Sequence, residues 1–246
     1  MASERRSRMS QMPKKMTPEM VDWIEEKRHE SIYRHIREDK KRGGYLYKKL
    51  RRKGKKYNKR VSGKAGRGCI PNRVDIENRP AVVEEKSRIG DWEGDTIIGA
   101  EHQGAIVSYV DRSSQLTILS KVTNKTAEFV LHASVEQFQA HGLPVLTITD
   151  DNGKEFSNHE AIAEALNAQC YFAKPYHSWQ RGLNEHTNGL VRQYLPKKTR
   201  FKDVTNQQIQ SIADKLNHRP RKCLNYLTPI EFLQRELSKP KTILDG

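Results

Sequence analysis

An α/β fold, a mixed sheet with helices packed on its faces behind a basic helical arm, follows from three features of the 246-residue sequence. Three short runs rich in Ile, Val, Thr and Tyr are separated by turn-forming clusters, the pattern of an antiparallel meander. A helix-periodic stretch then leads to another apolar run, and strand, helix, strand implies a crossover that lays the later strand parallel to a neighbour. Finally, charge is uneven: residues 1–90 hold 27 Lys/Arg and 12 Asp/Glu, whereas residues 91–246 hold 18 of each, so the whole formal charge of +15 sits in the first part.

Thr17-Pro18-Glu19, a cap residue followed by proline at the first helical position, opens an expected helix through Met20, Trp23 and Ile24 to about Lys27. Ile32, His35 and Ile36 recur at helical spacing and predict a second short helix. Two such helices suit either a helix-turn-helix or a plain packing unit, and no turn glycine separates them. From Lys40 to Arg60, 12 of 21 residues are Lys or Arg and none is acidic, with Tyr45, Tyr47 and Tyr57 interleaved. This run, with Lys48, Lys49, Arg51, Arg52, Lys53, Lys55 and Lys56 at its centre, points to nucleic acid ahead of anionic lipid. The alternative is a solvated, glycine-punctuated linker.

From Ile89 the composition changes. Strands are expected over 92–99, 105–110 and 115–122, joined at Glu101-His-Gln-Gly104 and Asp111-Arg-Ser-Ser114. Thr126 starts a helix carrying Phe129, Val130, Ala133 and Phe138, which Gly142 and Pro144 terminate. A buried strand over 145–149, a helix near 160–166, a strand over 169–172 and helices around 184–194 and 204–217 follow. Helices on the faces of one sheet bury all these apolar stripes. The domain reading is an arm over 1–88, a core over 89–238 and a tail over 239–246.

Acidic residues stand out by position. Asp91, Glu93 and Asp95 alternate along the first strand and so share one face, while Asp150 and Asp151 end the fourth strand and point to opposite faces. Asn152-Gly153 then turns the chain at the carboxyl edge of the sheet, where α/β active sites form. A charge in an apolar strand is costly unless something compensates it, which marks Asp95 and Asp151 for chemistry. Glu93 and Asp150 read instead as edge or turn residues in water. Glu185 lies near the start of a helix, after a loop dense in aromatic and cationic side chains: Lys174, His177, Trp179 and Arg181.

Other classes fall away. No stretch approaches the ~18 apolar residues of a membrane span and the start has no apolar signal core, so a soluble intracellular protein is expected. Cys69, Cys170 and Cys223 form no Cys-x-x-Cys pair and read as reduced thiols. His159-Glu160 lacks the second histidine of a zinc-protease motif.

Trp92-Glu-Gly-Asp95-Thr-Ile-Ile-Gly99, Thr149-Asp-Asp-Asn-Gly-Lys-Glu-Phe156 and the stretch from Pro175-Tyr-His-Ser-Trp-Gln-Arg-Gly182 through Tyr194-Leu-Pro-Lys197 resemble the transposases of the insertion sequence 30 family. The resemblance runs from about Ile89 to Phe232, and more loosely back to Thr17. It implies a ribonuclease H-like, retroviral integrase-like core with a mixed five-stranded sheet, and an Asp, Asp, Glu triad that falls on Asp95, Asp151 and Glu185 with 33 residues between the last two. Three hard carboxylates suit Mg²⁺ or Mn²⁺, and two ions about 3.5–4 Å apart would serve water-mediated cleavage and then strand transfer by a DNA 3′-hydroxyl. Asn188 and Arg192 share the helix face of Glu185, and with Lys174, His177, Arg181 and Lys197 are the expected DNA contacts beside the metals. Joining two element ends implies DNA repeats, target DNA and a homo-oligomer as partners. Family members carry a longer amino-terminal helix-turn-helix region, so a DNA-binding remnant or regulator that does not transpose stays open. A nuclease acting on RNA hybrids shares the fold.

Overall fold

The computed structural model describes residues 31–50, 70–174 and 181–239. The chain divides into two units, Met1–Arg60 and Val61–Gly246. In the first, residues 31–41 form helix α1, which covers the expected second helix. The chain leaves it through Gly43, whose φ of +84° suits a residue without a side chain. The Asp39 carboxylate accepts from the Leu46 amide at 2.9 Å, at the start of a 3-10 turn over Leu46–Lys49. Lys48 and Lys49 are exposed on that turn. The expected helix of 17–27, and Arg51, Arg52, Lys53, Lys55 and Lys56, lie outside the described residues.

The second unit is built on five strands: β1 (Asp91–Ile98), β2 (Ala105–Asp111), β3 (Thr117–Val122), β4 (Thr147–Asp150) and β5 (Gln169–Phe172). Their order across the sheet is β3-β2-β1-β4-β5. β1, β2 and β3 form the antiparallel meander, and β4 and β5 run parallel to β1. After a single turn α2 (Val82–Glu85), the helices are α3 (Ala127–His141), α4 (His159–Leu166), α5 (Gly182–Tyr194), α6 (Asn206–Asn217) and α7 (Pro229–Leu237).

Alternation along the strands divides the sheet's side chains into two cores. On one face Trp92, Val107, Tyr109 and Ile148 pack with Val130 and Phe138 of α3 and Ile162 of α4, and Ile230 and Leu233 of α7 close the edge. Trp92 stands edge-on to Phe138 at 5.0 Å between ring centres, and its indole N–H donates to the Pro144 carbonyl at 3.0 Å. Burying such an aromatic side chain stabilises by roughly 1.5–3 kcal/mol. On the opposite face Ile97, Ile106 and Leu119 pack with Leu190 and Val191 of α5 and Ile209, Ile212 and Leu216 of α6. Gly142, at φ +57°, ends α3 in the left-handed conformation, as the sequence predicts.

Residues 70–88, grouped with the basic arm by their charge, are packed into the second unit. Ile70, Ile76 and Val83 are buried, and Asp75 bridges in parallel to Phe172 at the end of β5. This strap then crosses the end of the sheet, and Arg79 donates to Thr149 Oγ1 of β4 at 2.7 Å. Net charge did not reveal this, because the buried Ile70, Ile76 and Val83 lie among charged residues such as Arg79 that are themselves part of the anchor.

Candidate active site at the carboxyl edge of the sheet

Asp91, Glu93 and Asp95 do share one face of β1, and each meets an arginine. Asp91, fully buried, accepts from Arg88 Nε at 2.8 Å and from Thr147 Oγ1 at 2.7 Å. Glu93, 1% exposed, accepts from Arg112 Nη1 at 2.5 Å and from the Asn184 amide at 3.0 Å. Asp95 is 22% exposed, and Arg181 Nη1 lies 3.8 Å from its Oδ2, beyond hydrogen-bond length. The first two acids are sealed into the fold, and only the third opens to solvent.

Asp151 follows β4 directly. Its Oδ1 accepts from the Gly153 amide at 2.7 Å, which fixes the turn, and its Oδ2 lies 3.8 Å from Arg181 Nη2. Asp95 and Asp151 thus converge on one guanidinium, which is anchored by donating to the Gly94 carbonyl at 2.7 Å. The Thr96 amide donates to Asp95 Oδ1 at 2.7 Å and Asn188 Nδ2 to its Oδ2 at 3.0 Å. Burial, opposed by Arg181 and reinforced by the Asp151 charge, pushes the Asp95 carboxyl up to about 6. Behind them Glu155, buried, accepts from Thr96 Oγ1 at 2.9 Å and pairs with Lys125 at 2.6 Å.

Glu185 is exposed on the first turn of α5. It sits one helical turn before Asn188 and so on the side of α5 that reaches Asp95. Among the described residues no three His, Cys, Asp or Glu side chains are grouped closely enough to hold a metal ion. Arg181 thus joins Asp95 with Asp151, and Glu185 follows on the α5 face whose Asn188 reaches Asp95.

Two readings of the sequence are corrected. Glu93 and Asp150, expected in water, are both buried. Asp150 points to the α3 face beneath Gly94, and neither carboxyl oxygen has a hydrogen-bond partner. Desolvation, opposed by Arg181 and reinforced by Asp151 and Asp95, raises its pKa well above the usual carboxylate range.

The expected DNA contacts are variously placed. Lys174 pairs with Glu77, and Arg192 donates to the Ile98 carbonyl at 2.6 Å, while Lys197 is exposed. Arg181 and Asn188 are engaged with the carboxylates, and His177 and Trp179 lie outside the described residues. Sequence reasoning missed Arg79, Arg112 and Glu155, whose partners Thr149, Glu93 and Thr96 lie 70, 19 and 59 residues away. The usable signal was Glu93 itself: an acid inside an apolar strand requires a cation.

The sheet order, with Asp95 inside β1 beside Asp151 just past the end of β4, defines a ribonuclease H-like core of the retroviral integrase kind. A chain of the simian T-cell lymphotropic virus intasome, solved with PP2A regulatory subunit B56 gamma, superposes with a TM-score of 0.50 at 19% identity, covering 64% of this chain and 57% of that one. No protein-family model matches the chain. Sequence relatives narrow the class. The transposase for insertion sequence element IS4351 of Bacteroides fragilis is 53% identical over 86% of this chain and 65% of its own length. That of IS1086 from Cupriavidus metallidurans is 40% identical over 74% and 54%. Transposase InsI of IS30A from Escherichia coli K12 is 35% identical over 73% and 48%. The chain is similar to these insertion sequence transposases, the InsI protein of IS30A among them, and it spans about half to two thirds of their length. Among the described residues no helix is long and apolar enough to cross a membrane.

Proposed function

We propose that this chain carries the catalytic core of a DNA transposase that cleaves and joins DNA in a metal-dependent reaction. The observation that carries the reading is the convergence of Asp95 and Asp151, from adjacent parallel strands, on one shared cation at the carboxyl edge of the sheet. An all-oxygen pair of this kind fits a hard divalent ion, Mg²⁺ or Mn²⁺. Asp95 and Asp151 would hold it, with Glu185 supplied by the first turn of α5. When bound, two such ions would activate the attacking oxygen and stabilise the departing 3′ oxygen.

The chain's own residues supply the rest. Asn188 orients Asp95 through Oδ2, and the Gly153 amide orients Asp151 through Oδ1. Arg181 balances both carboxylates and stands where a scissile phosphate would approach them. The attacking group is water for cleavage and a DNA 3′-hydroxyl for joining, so no serine or tyrosine nucleophile is required. The DNA would be the element's terminal repeats and a target, gripped by the basic run of residues 40–60 and by Lys197, with copies of the chain assembled on it.

Purified protein with Mg²⁺ or Mn²⁺ is expected to nick duplex DNA carrying the repeats that flank its gene. Asp151→Asn abolishes nicking and leaves DNA affinity within about twofold, because a single buried-edge carboxylate adds little to phosphate binding. Equal nicking by the variant refutes the assignment. A second reading, a DNA-binding regulator without cleavage, is favoured by the lack of a closely grouped carboxylate triad among the described residues, and the same assay would then show binding and no metal-dependent nicks.

A further inference from the structure

The first turn of α5 is not capped by its own sequence: the residue before the helix, Arg181, makes no side-chain cap bond. The sheet does this instead. Glu93 Oε2 accepts from the Asn184 amide at 3.0 Å, placing a carboxylate against the positive end of the helix. The fully buried Asn184 side chain answers by donating to the Glu93 carbonyl at 2.6 Å and the Ser108 carbonyl at 3.1 Å, so it is riveted to β1 and β2 together. Glu185 is the next residue. Any shift of Asn184 moves it directly.

Glu93 is in turn immobilised. Arg112, 4% exposed, spends its fork on three acceptors: Glu93 Oε1 at 2.5 Å, Glu84 Oε2 at 3.0 Å and the Val83 carbonyl at 3.1 Å. Glu84 also binds Arg79, which reaches Thr149, two residues before Asp151. A continuous polar chain thus runs from the strand of Asp151, through the strap of residues 70–88, to the helix of Glu185.

We infer that Glu93 is a positioning residue: held by Arg112 and Glu84, its carboxylate fixes the first turn of α5 and so sets the distance of Glu185 from Asp95 and Asp151. The inference rests on the metal-dependent reading above. It is tested on the full chain by titrating Mn²⁺ and following free ion by electron paramagnetic resonance, beside nicking rates, DNA affinity and melting curves. Glu93→Gln keeps an acceptor for the Asn184 amide but sets an amide against Arg112, and should weaken Mn²⁺ binding about tenfold, as outer-shell changes do. Nicking should recover at saturating Mn²⁺, with DNA affinity unchanged. Glu84→Gln, at a side chain 65% exposed, should move the same quantities in the same direction by less, and decides the matter if Glu93→Gln does not fold. Ile162→Val, buried on the opposite face, serves as the control for lost stability alone and should leave Mn²⁺ affinity unchanged. Wild-type Mn²⁺ affinity in the folded Glu93 and Glu84 variants, with Asp151→Asn abolishing binding, overturns the positioning role and leaves the metal reading standing. Undiminished Mn²⁺ binding by Asp151→Asn overturns both.

Discussion

Asp95→Asn should make the protein more stable at neutral pH while removing its proposed activity. The Asp95 carboxyl is pushed from 3.8 to about 6, so its ionisation is disfavoured in the fold by about two pH units, roughly 3 kcal/mol at 1.36 kcal/mol per unit. The sign follows from linkage. Between 3.8 and about 6 the folded chain holds a proton that the unfolded chain has released, so stability falls as pH rises through that window and the full penalty is present above it. Asparagine carries no such penalty. It keeps an acceptor for the Thr96 amide but sets an amide against Asn188 Nδ2, losing a hydrogen bond of about 1 kcal/mol. The net expectation is a gain of about 1–2 kcal/mol at neutral pH, a rise in Tm of roughly 2–8 °C for a chain of this size. Paired urea denaturation of wild type and variant at neutral pH and below pH 4 measures it. The gain should disappear in acid, where Asp95 is protonated in both states. A variant no more stable than wild type at neutral pH, or a difference independent of pH, refutes the burial argument.

Other expectations can be checked alongside. A methyl group at Gly94 would stand 2.0 Å from Asp150 Oδ1 and 2.6 Å from the Tyr109 ring, so Gly94→Ala should cost about 1–3 kcal/mol in urea denaturation, and an unchanged midpoint would contradict the close approach of the two strands. Thr228 and Glu231 form a reciprocal cap at the start of α7, and Thr228→Ala should lower stability by about 1 kcal/mol, read from the melting curve. Buried Cys170, its thiol pushed up by desolvation and by Asp150, should resist thiol reagents until the chain unfolds, while exposed Cys223 reacts at once in a Cys69→Ser background. Binding to duplex DNA should weaken with salt along a log–log slope near −5 if about six cations of the arm meet phosphates, and a flat dependence would make the arm a linker.

The meander was legible because alternation and turn residues are local: the expected first strand, 92–99, lies within a residue of the observed Asp91–Ile98. The parallel placement of β4 followed from the intervening helix, although the strand begins two residues later than expected, at Thr147. Helix α7 was overlooked even though Thr228-Pro229 with Glu231 spells a helix start, because Phe232 and Leu233 give only a short apolar stripe. At the site, the shared face of Asp91, Glu93 and Asp95 could be read from a period of two. What could not be read was which of them is sealed. Glu93 is dry because Arg112, 19 residues away, and Asn184, 91 residues away, close over it, and no periodicity encodes such pairings.

The strap of residues 70–88 also has a bearing on how the chain acquires its shape. It leaves the ribosome before any strand of the sheet, yet its acceptors arrive late: Thr149 lies 70 residues beyond Arg79, and Asn72 bonds Glu160 a further stretch along, at a separation of 88. Glu93 waits longer still, 91 residues, for the amide it caps. Closing such long loops is slow compared with forming helices or hairpins, so synthesis must pass the start of α5 before this edge of the sheet can lock. A nascent chain halted before α5 would keep Arg112 and Glu93 facing a solvent that the finished protein excludes, and proteolysis of arrested chains should cut within 70–88 first.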